Sequence, residues 1–316
     1  LQFLIQHKTD TVILSHRGRR ADKLSLKQFV PILSDLLRKK VGFINIDKQS
    51  AKKIHSGIFL AENLRRLPGE EKNDPIFAEK LARLGDFYVN DAFAASHREH
   101  ASLSAITKFL PSFAGLLMEK EIKNLDKVMK TPRHPLVVIL GGAKSSDKIG
   151  VMENFSRRAD CFLLGGGVAN TFFAALNLPV GDSVYEPAEV PRAQKLINQI
   201  GLSKIRLPVD TVIKNRKILD IGGKSAKNYS EIINGAQEII WNGPMGYIEE
   251  KEFCYGSEEI AKAVAASRAF SAVGGGDTTD FIINLGLEKK ISFLSTGGGA
   301  MLEYLAGRNL PGIQAL

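Results

Sequence analysis

Two glycines and two lysines follow an apolar run at residues 137–148, where the sequence reads VVILGGAKSSDK. The apolar run predicts a buried strand, and residues 148–155 have the character of a helix. A glycine turn between a strand and a helix N-terminus leaves backbone N–H groups unpaired, and these groups can bind an anion. Lys144 and Lys148 indicate that the anion is a phosphate. An ordinary turn with two solvated lysines is the alternative for this segment taken alone.

The same order of apolar run, glycine-rich turn and helix-like segment recurs four times in the second half of the chain. In a parallel sheet the carboxyl ends of the strands lie along one edge, so the five turns are expected to converge there. Together they predict a broad surface of backbone donors for a nucleotide or polyphosphate. The four further segments are CFLLGGGVANTFF (161–173), IIWNGPMGY (239–247), FSAVGGGDTT (270–279) and FLSTGGGAML (293–302).

Basic residues follow the apolar runs of the first half, at residues 16–20 (HRGRR), 65–66 (RR) and 97–98 (HR). The net charge of +9 suits nucleic acid or small anionic ligands, and a solvated basic face is the alternative for each cluster. Binding of nucleic acid is disfavoured because no aromatic RNA-binding motif accompanies the arginines. The sequence also has neither the GxxxxGK[ST] motif of P-loop kinases nor a dinucleotide-type GxGxxG with a downstream acid.

Length and composition indicate a globular protein of about two domains, with 316 residues, 44% of them hydrophobic and 24% charged. The apolar runs are far shorter than the ~20 residues that span a bilayer, and the first residues show no signal-peptide pattern. Cys161 and Cys254 lie far apart without metal-type spacing, which predicts free thiols in a reducing cytoplasm.

Alternation of strands and helices predicts the fold class α/β, with two doubly wound, mostly parallel domains that face a cleft and are joined by a hinge helix. We expect an N-terminal domain at 1–115, a hinge helix and linker at 116–134 and a C-terminal domain at 135–316, the last ~15 residues being a candidate to pack back on the first domain. Predicted strands lie at 11–15, 41–46, 57–62 and 86–90, and then at 137–140, 161–164, 204–208, 238–241, 269–273 and 291–294.

With these residues laid out, the chain resembles the phosphoglycerate kinase family from about residue 11 to residue 316. The resemblance rests on specific motifs in the family's order. They are SHRGR (15–19), ENLR (62–65), VNDAF (89–93) with HR (97–98), LGGAKSSDKIGV (140–151), LGGG (164–167), LPVD (207–210), WNGPMGYIE (241–249), VGGGDT (273–278) and STGGGA (295–300).

The resemblance implies residue roles on both sides of a cleft. It implies that the substrate 3-phosphoglycerate or 1,3-bisphosphoglycerate meets His16, Arg19, Arg65, His97 and Arg98. On the nucleotide side it implies Gly142, Lys144 and Lys148 at the phosphates, Gly166 and Gly167 at the adenine, Asn242 and Pro244 in the pocket, Glu249 at the ribose, Asp277 on Mg²⁺, and Gly275, Gly276 and Thr278 at the phosphates. The residues implied to be catalytic are Lys148, Gly276 and Gly299.

The function that the resemblance implies is reversible phosphoryl transfer between 1,3-bisphosphoglycerate and MgADP, giving 3-phosphoglycerate and MgATP. The acceptor of the reverse step is a carboxylate, so no general base is required. Because the two half-sites are on different domains, closure about a hinge at 115–135 is expected. Small-molecule substrates, a monomer, and no nucleic acid or membrane partner are also expected. The alternative is a non-catalytic, nucleotide-binding relative.

The chain also departs from the family's pattern. The family opens with a strand carrying an Asp and an Asn, and soon afterwards an arginine beside the transferred group; Leu1 lies beyond that segment. We expect either that the segment precedes Leu1 or that catalysis is weaker by roughly 10³-fold or more. Connections at 46–57 and 214–216 are shorter than usual, and we expect a parallel crossover to be incomplete at the second. Residues that replace the family's usual ones include Arg17, Arg20, Arg66, Ala94, Ala95 and the run GGKS at 222–225.

Overall fold

The computed structural model describes residues 1–46 and 56–316. The chain forms two compact units, one of Leu1–Met118 with Leu310–Leu316 and one of Glu119–Asn309. The predicted short connection at 46–57 falls largely outside the described residues. No helix in the described part of the chain is long and apolar enough to cross a membrane.

The first unit is built on short parallel strands. Its main sheet has the order β1-β3-β2, and β4 pairs with β5; every pair is parallel. The helix α3 begins where the sequence predicts it, because the Asp74 carboxylate caps the backbone N–H groups of Ile76 and Phe77. The elements are α1 (Gln2–Gln6), β1 (Thr11–Ile13), α2 (Phe29–Leu37), β2 (Val41–Ile44), β3 (Ile58–Ala61), α3 (Pro75–Ala82), β4 (Tyr88–Asn90) and β5 (Ser112–Ala114).

A 15-residue helix, α4 (Leu116–Lys130), follows and contains the boundary between the two units. It occupies the residues predicted to form the hinge helix. Its buried positions include Leu125 and Val128, neither of which is exposed to solvent.

The second unit contains a six-stranded sheet with the order β13-β12-β11-β6-β7-β8, in which all pairs are parallel. Its elements are β6 (Leu136–Leu140), α5 (Ser146–Phe155), β7 (Cys161–Leu164), α6 (Gly166–Ala175), α7 (Val190–Ile200), β8 (Ile205–Arg206), β9 (Thr211–Lys214), β10 (Lys217–Ile221), α8 (Gly223–Asn234), β11 (Glu238–Asn242), α9 (Tyr255–Ala266), β12 (Phe270–Gly274), α10 (Gly276–Asn284), β13 (Phe293–Leu294) and α11 (Gly299–Leu305). The mostly parallel α/β fold class predicted from the sequence is confirmed.

Every residue of β6, β7 and β11 is buried, as expected for strands covered on both faces. Val137, Ile139 and Trp241 belong to one apolar cluster with Ile233 of α8 and Ile260 of α9. This packing fixes the strands whose carboxyl ends carry the glycine-rich turns.

The expected incomplete crossover at 214–216 is wrong for this structure. Strands β9 and β10 pair antiparallel, in a two-stranded sheet of their own. Asn215 and Arg216 form the turn, and both have positive φ (49° and 61°). A two-residue turn of this kind closes an antiparallel hairpin, so no crossover is needed. The strands predicted at 204–208 and 291–294 are shorter in the structure, where β8 and β13 contain two residues each.

The last helix, α12 (Pro311–Gln314), belongs to the first unit. The Asn90 side-chain amide donates to the carbonyl of Gly312 (2.9 Å), and the Gly312 N–H donates to the carbonyl of Ser96 (2.9 Å). The end of the chain is therefore bonded to the loop that carries His97 and Arg98.

Candidate active site

The turn after β6 is bonded to the turn after β11. The Gly141 N–H donates to the carbonyl of Asn242 (3.0 Å), and the Gly142 N–H donates to the carbonyl of Pro244 (2.7 Å). Gly243 has φ +90°, and a Cβ there would lie 2.2 Å from the Gly141 carbonyl oxygen. Only glycine allows the two backbones to approach so closely.

The turn after β7 joins the same group. The Gly166 N–H donates to the carbonyl of Met245 (2.9 Å), and a Cβ on Gly166 would lie 2.9 Å from the Gly142 nitrogen. Gly167 is buried against the backbone of Ala143. Three of the five predicted turns therefore use part of their backbone to hold one another.

Asn242 and Thr278 extend the connection to the turn after β12. The Asn242 amide donates to the carbonyl of Gly274 (2.9 Å), and the Gly243 N–H donates to the Thr278 hydroxyl (2.9 Å). Both side chains are buried. Their polar atoms thus align adjacent turns at the carboxyl edge of the sheet. Gly275 also lies against Asn242, because a Cβ on Gly275 would be 3.1 Å from the Asn242 amide nitrogen.

Two further glycines have a different environment. A Cβ on Gly276 or Gly299 would meet nothing within 4 Å, and neither residue has a positive φ that requires glycine. Gly276 opens α10 and is exposed, as is the adjacent Asp277. Nothing within the fold demands glycine at these two positions, so the space beside them is free for a ligand.

Lys148 lies beside the first turn. Its side-chain nitrogen is 3.9 Å from the position of a Cβ on Gly142. Burial lowers the pKa of Lys148, and Lys144 lowers it further, while Asp147, Glu186 and Asp277 act in the opposite direction. Lys144 itself is exposed. The structure thus brings the two lysines and Asp277 within electrostatic range of one another, which the sequence spacing could not establish.

The N-terminus of α5 is already occupied by a carboxylate of the chain itself. The Ser146 N–H donates to Oε2 of Glu186 (2.7 Å), and the Ser146 hydroxyl donates to Oε1 (3.2 Å). The expectation that the start of this helix offers bare N–H groups to an anion is therefore wrong at Ser146. An anion at this turn would meet the lysine side chains instead.

A pocket opens next to these turns, between α6 and the β9–β10 hairpin. Gly166 and Met245 line it from the turns, and Leu219 and Asp220 line it from β10. The remaining walls are mostly apolar. Pro244 lies beside the pocket through its neighbour Met245, and Glu249 is exposed farther along the same loop.

In the first unit, Arg65 forms the centre of a positive cluster. Its guanidinium donates to the carbonyl of Gly18 (2.8 Å) and lies 3.6 Å from the Glu71 carboxylate. Burial lowers the pKa of His16 and of His100, and in each case the Arg65 charge is the next cause. Both imidazoles therefore favour the neutral form, which agrees with a role in binding rather than in proton transfer.

His97 and Arg98 lie in the same unit, with the Arg98 Nε 3.2 Å from the His97 Nε2. The His97 Nδ1 is buried and has no hydrogen-bond partner in residues 1–46 and 56–316. After burial and Arg65, the charge of His97 also lowers the pKa of His100, so these two histidines lie near each other. The Arg19 side chain is exposed on the loop after β1. The structure thus brings His16, Arg65, His97 and His100 into one electrostatic cluster.

A model of the family described as "Phosphoglycerate kinase" matches residues 1–308. The chain belongs to the phosphoglycerate kinase family. It is 41% identical to the phosphoglycerate kinase of Thermomicrobium roseum and 42% identical to that of Herpetosiphon aurantiacus, in each case over 100% of this chain and 88% of the relative. Among solved structures it is similar to phosphoglycerate kinase from Pyrococcus horikoshii OT3, with a TM-score of 0.88, 34% identity and coverage of 100% and 88% of the two chains.

Several residues that depart from the family's pattern have local partners. The Arg17 guanidinium lies 5.3 Å from the centre of the Phe29 ring, and Arg66 forms a 3.0 Å ion pair with Glu62. Ser225, in the run 222–225, accepts the N–H groups of Val209 (2.9 Å) and Asp210 (3.0 Å) on its hydroxyl. Nothing in the structure explains Arg20 or Ala94.

Sequence reasoning missed three polar residues near the glycine-rich turns of the second unit: Glu186, Asn170 and Asp220. None belongs to a glycine-rich turn or to one of the basic clusters. Asn170 lies within the quoted segment 161–173, where a polar residue in an otherwise apolar helix was the available signal. Glu186 and Asp220 act through partners about 40 residues away in sequence, and no local pattern marks them.

Proposed function

We propose that the protein transfers a phosphoryl group reversibly between 1,3-bisphosphoglycerate and ADP, giving 3-phosphoglycerate and ATP. The family match over almost the whole chain carries the proposal. In the second unit, Gly276 and Gly299 leave an open surface, here called the open glycine edge. This edge and the positive cluster around Arg65 in the first unit are surroundings suited to the two anionic substrates.

The nucleotide belongs to the second unit. We place its phosphates beside Gly142, Lys144 and Lys148, with Gly276 and Gly299 leaving space for the transferred group. The base would lie beside Gly166 and Gly167, and Glu249 would reach the ribose. Lys148 supports this placement because it is buried and faces the turn that precedes it, so its charge is poorly screened and acts strongly on a nearby phosphate.

Asp277 is the residue that we propose to hold Mg²⁺. The described part of the chain has no group of three or more His, Cys, Asp or Glu side chains able to hold a metal by themselves. Magnesium bound to a nucleotide needs only one or two protein carboxylates, because phosphates and waters complete its six ligands. A single exposed carboxylate at the open edge fits that requirement. When bound, the ion would neutralise phosphate charge.

The acidic substrate belongs to the first unit. We propose that Arg65, His16, Arg19, His97 and Arg98 hold its phosphate, since guanidinium groups bind phosphate in a bidentate manner. Because burial and Arg65 lower the pKa of His16, that imidazole is suited to hydrogen bonding in its neutral form. The acceptor carboxylate of 3-phosphoglycerate is ionised at neutral pH, so the residues need only position it and stabilise charge.

Transfer requires the reacting atoms of the two substrates to come within about 3 Å. We propose that α4 acts as the hinge, since the boundary between the units falls inside it. The buried Glu121 of this helix accepts hydrogen bonds from the Ser295 hydroxyl (2.7 Å) and from the Thr296 N–H (2.6 Å). These residues directly precede the turn that contains Gly299. A rotation of α4 would thus be transmitted to the open glycine edge.

We further propose a cytoplasmic monomer without nucleic-acid or membrane partners. The two buried free thiols, Cys161 and Cys254, support a reducing compartment. The glycolytic reaction of the family uses small soluble substrates, which supports the absence of a macromolecular partner.

The test is a coupled assay of MgATP-dependent phosphorylation of 3-phosphoglycerate by the full-length protein. Asp277→Ala and Arg65→Ala serve as variants for the two sides. Turnover that is lost in both supports a two-sided kinase. Nucleotide binding without turnover in the unaltered protein would instead favour the non-catalytic relative.

A further inference from the structure

The start of α5 is held by a carboxylate that lies 40 residues further along the chain. The Ser146 N–H donates to Oε2 of Glu186 (2.7 Å), and the Ser146 hydroxyl donates to Oε1 (3.2 Å). Ser146 is the first residue of the helix, and the N–H groups at a helix start carry partial positive charge. Glu186 is therefore an anion of the chain itself, placed where a helix attracts anions.

A neutral residue stands at the capping position of this helix but does not cap it. Ser145 precedes α5, at the position where a serine hydroxyl commonly accepts a helix N–H. Its hydroxyl is buried and is bonded to the Thr171 hydroxyl instead (2.7 Å). The Thr171 hydroxyl also accepts the N–H of Glu186 (3.2 Å), which fixes the backbone of Glu186 beside the helix. Capping alone needs no charge, so the charge of this cap requires a separate explanation.

The charge of Glu186 is not neutralised in the way that its acidic neighbours are. Arg192 forms ion pairs with Glu189 (2.9 Å) and with Glu153 (2.7 Å). In the part of the chain that the structure describes, Glu186 has no such ion pair. Its charge nevertheless reaches the lysines of the turn: burial lowers the pKa of Lys148, and Glu186 is one of the charges that raise it. Glu186 therefore acts electrostatically on the segment that carries those lysines.

We propose that Glu186 limits how tightly the turn at 141–148 binds phosphates, because its negative charge opposes theirs. This inference rests on the proposed function, because it takes that turn as the site of the nucleotide phosphates. The positive end of a helix is equivalent to about half an elementary charge. A carboxylate there carries a full negative charge, so the sum of the two repels an anion that Lys144 and Lys148 attract. The weaker hold favours exchange of the nucleotide after transfer.

Glu186→Gln removes the charge and can keep both hydrogen bonds. The new amide oxygen accepts the Ser146 N–H, and the amide nitrogen donates to the Ser146 hydroxyl, which then acts as the acceptor. Calorimetric titrations without metal compare ADP, AMP and adenosine on the variant and on the unaltered protein. ADP should bind the variant roughly 3- to 10-fold more tightly, AMP should gain less, and adenosine should gain nothing. In about 0.5 M KCl the gain for ADP should shrink to within roughly twofold, because salt screens the charge.

Glu189→Gln is the matched control, because it changes the net charge by the same amount. Glu189 lies in the short helical turn that follows Glu186, and its carboxylate is paired with Arg192. The affinity of this variant for ADP should stay within roughly twofold of the unaltered protein. Glu186→Ala is a second test should the glutamine variant not fold. It also frees the Ser146 N–H for the ligand, so its gain in ADP affinity should be at least as large.

The sign of the change separates this role from a purely structural one. If Glu186 only caps α5, the glutamine variant will bind ADP as tightly as the unaltered protein or more weakly, and either result overturns the inference. An equal gain for adenosine also overturns it, because adenosine carries no phosphate. If the unaltered protein binds none of the three compounds, the proposed function fails instead. Titration with pyrophosphate then decides the inference: tighter binding to Glu186→Gln supports it, and equal or absent binding overturns it.

Discussion

Replacing Asp220 by asparagine tests how the nucleotide side is held together. The Asp220 carboxylate is 2% exposed and accepts the N–H of Gly256, at the start of α9. On the same helix, the Ser257 hydroxyl accepts the N–H of Met245, and the Met245 carbonyl accepts the N–H of Gly166. Asp220 therefore supports, through α9, the turn that contains Met245.

Burial raises the pKa of Asp220 from 3.8 to about 6. A tenfold change in proton affinity is worth about 1.4 kcal/mol, so the ionised group lowers the free energy of unfolding by about 3 kcal/mol at neutral pH. Because the folded-state pKa is the higher one, the folded protein binds more protons than the unfolded chain between about pH 6 and pH 4. This contribution to stability therefore rises as the pH falls through that window.

Asp220→Asn cannot ionise. It removes the charge but leaves one backbone N–H facing an amide donor, at a cost of about 1–3 kcal/mol. The two effects nearly cancel at pH 7, so the slope with pH is the informative quantity. Between pH 7 and pH 5, the free energy of unfolding of the unaltered protein should rise by about 1.4 kcal/mol relative to that of the variant.

The assay is urea unfolding followed by the fluorescence of Trp241. This is the only tryptophan of the chain, and it is fully buried in β11, so its signal reports on the second unit. Asp210→Asn is a matched control, because Asp210 also caps a helix but its Ser225 and Lys224 hydrogen bonds outweigh burial and lower its pKa. That variant should show no slope over this pH range. A constant difference between Asp220→Asn and the unaltered protein would refute the reasoning.

Three further predictions follow from the same contacts. Glu121→Ala should destabilise the second unit by about 3 kcal/mol and lower kcat, because it leaves the buried Ser295 hydroxyl without its acceptor; urea unfolding and steady-state kinetics check this. Gly276→Ala should leave stability within about 1 kcal/mol but reduce kcat/KM for MgATP, whereas Gly243→Ala should cost more than about 3 kcal/mol of stability; comparable unfolding midpoints would contradict this. His16→Gln should weaken the acid sensitivity of the first unit: the lowered pKa of His16 means that stability is lost as the pH falls through 6.5, which hydrogen exchange in β3 can measure.

The sequence was informative where a local pattern decides the structure. The five glycine-rich turns follow five neighbouring strands of one parallel sheet, as the apolar runs predicted. The helix α4 occupies the predicted residues because its apolar positions recur at helical spacing. In contrast, the β9–β10 hairpin was misread, since two adjacent apolar runs suggested a parallel crossover. Asparagine commonly adopts positive φ in hairpin turns, as Asn215 does, but arginine rarely does. Arg216 therefore weakened the sequence signal for a hairpin turn.

Residues that act through distant partners could not be found from the sequence. Glu186 looked like one acidic residue among many, yet it occupies the start of α5 through Ser146. Its effect is opposite to the prediction, because the Ser146 N–H that was expected to be bare is bonded to the Glu186 carboxylate. The Asn170 amide is likewise bonded to the carbonyl of Val184, which no spacing rule connects with it.

The glycines at the carboxyl edge of the sheet differ in what surrounds them, although a sequence motif treats them alike. Gly243 and Gly166 are glycines because another backbone lies within 3 Å of where their Cβ would be. Gly276 and Gly299 have open space and ordinary φ, so the fold itself does not require glycine at either position. A sequence shows all four as the same letter. The first pair brings the strands' ends together, and the second pair leaves open space at the starts of α10 and α11.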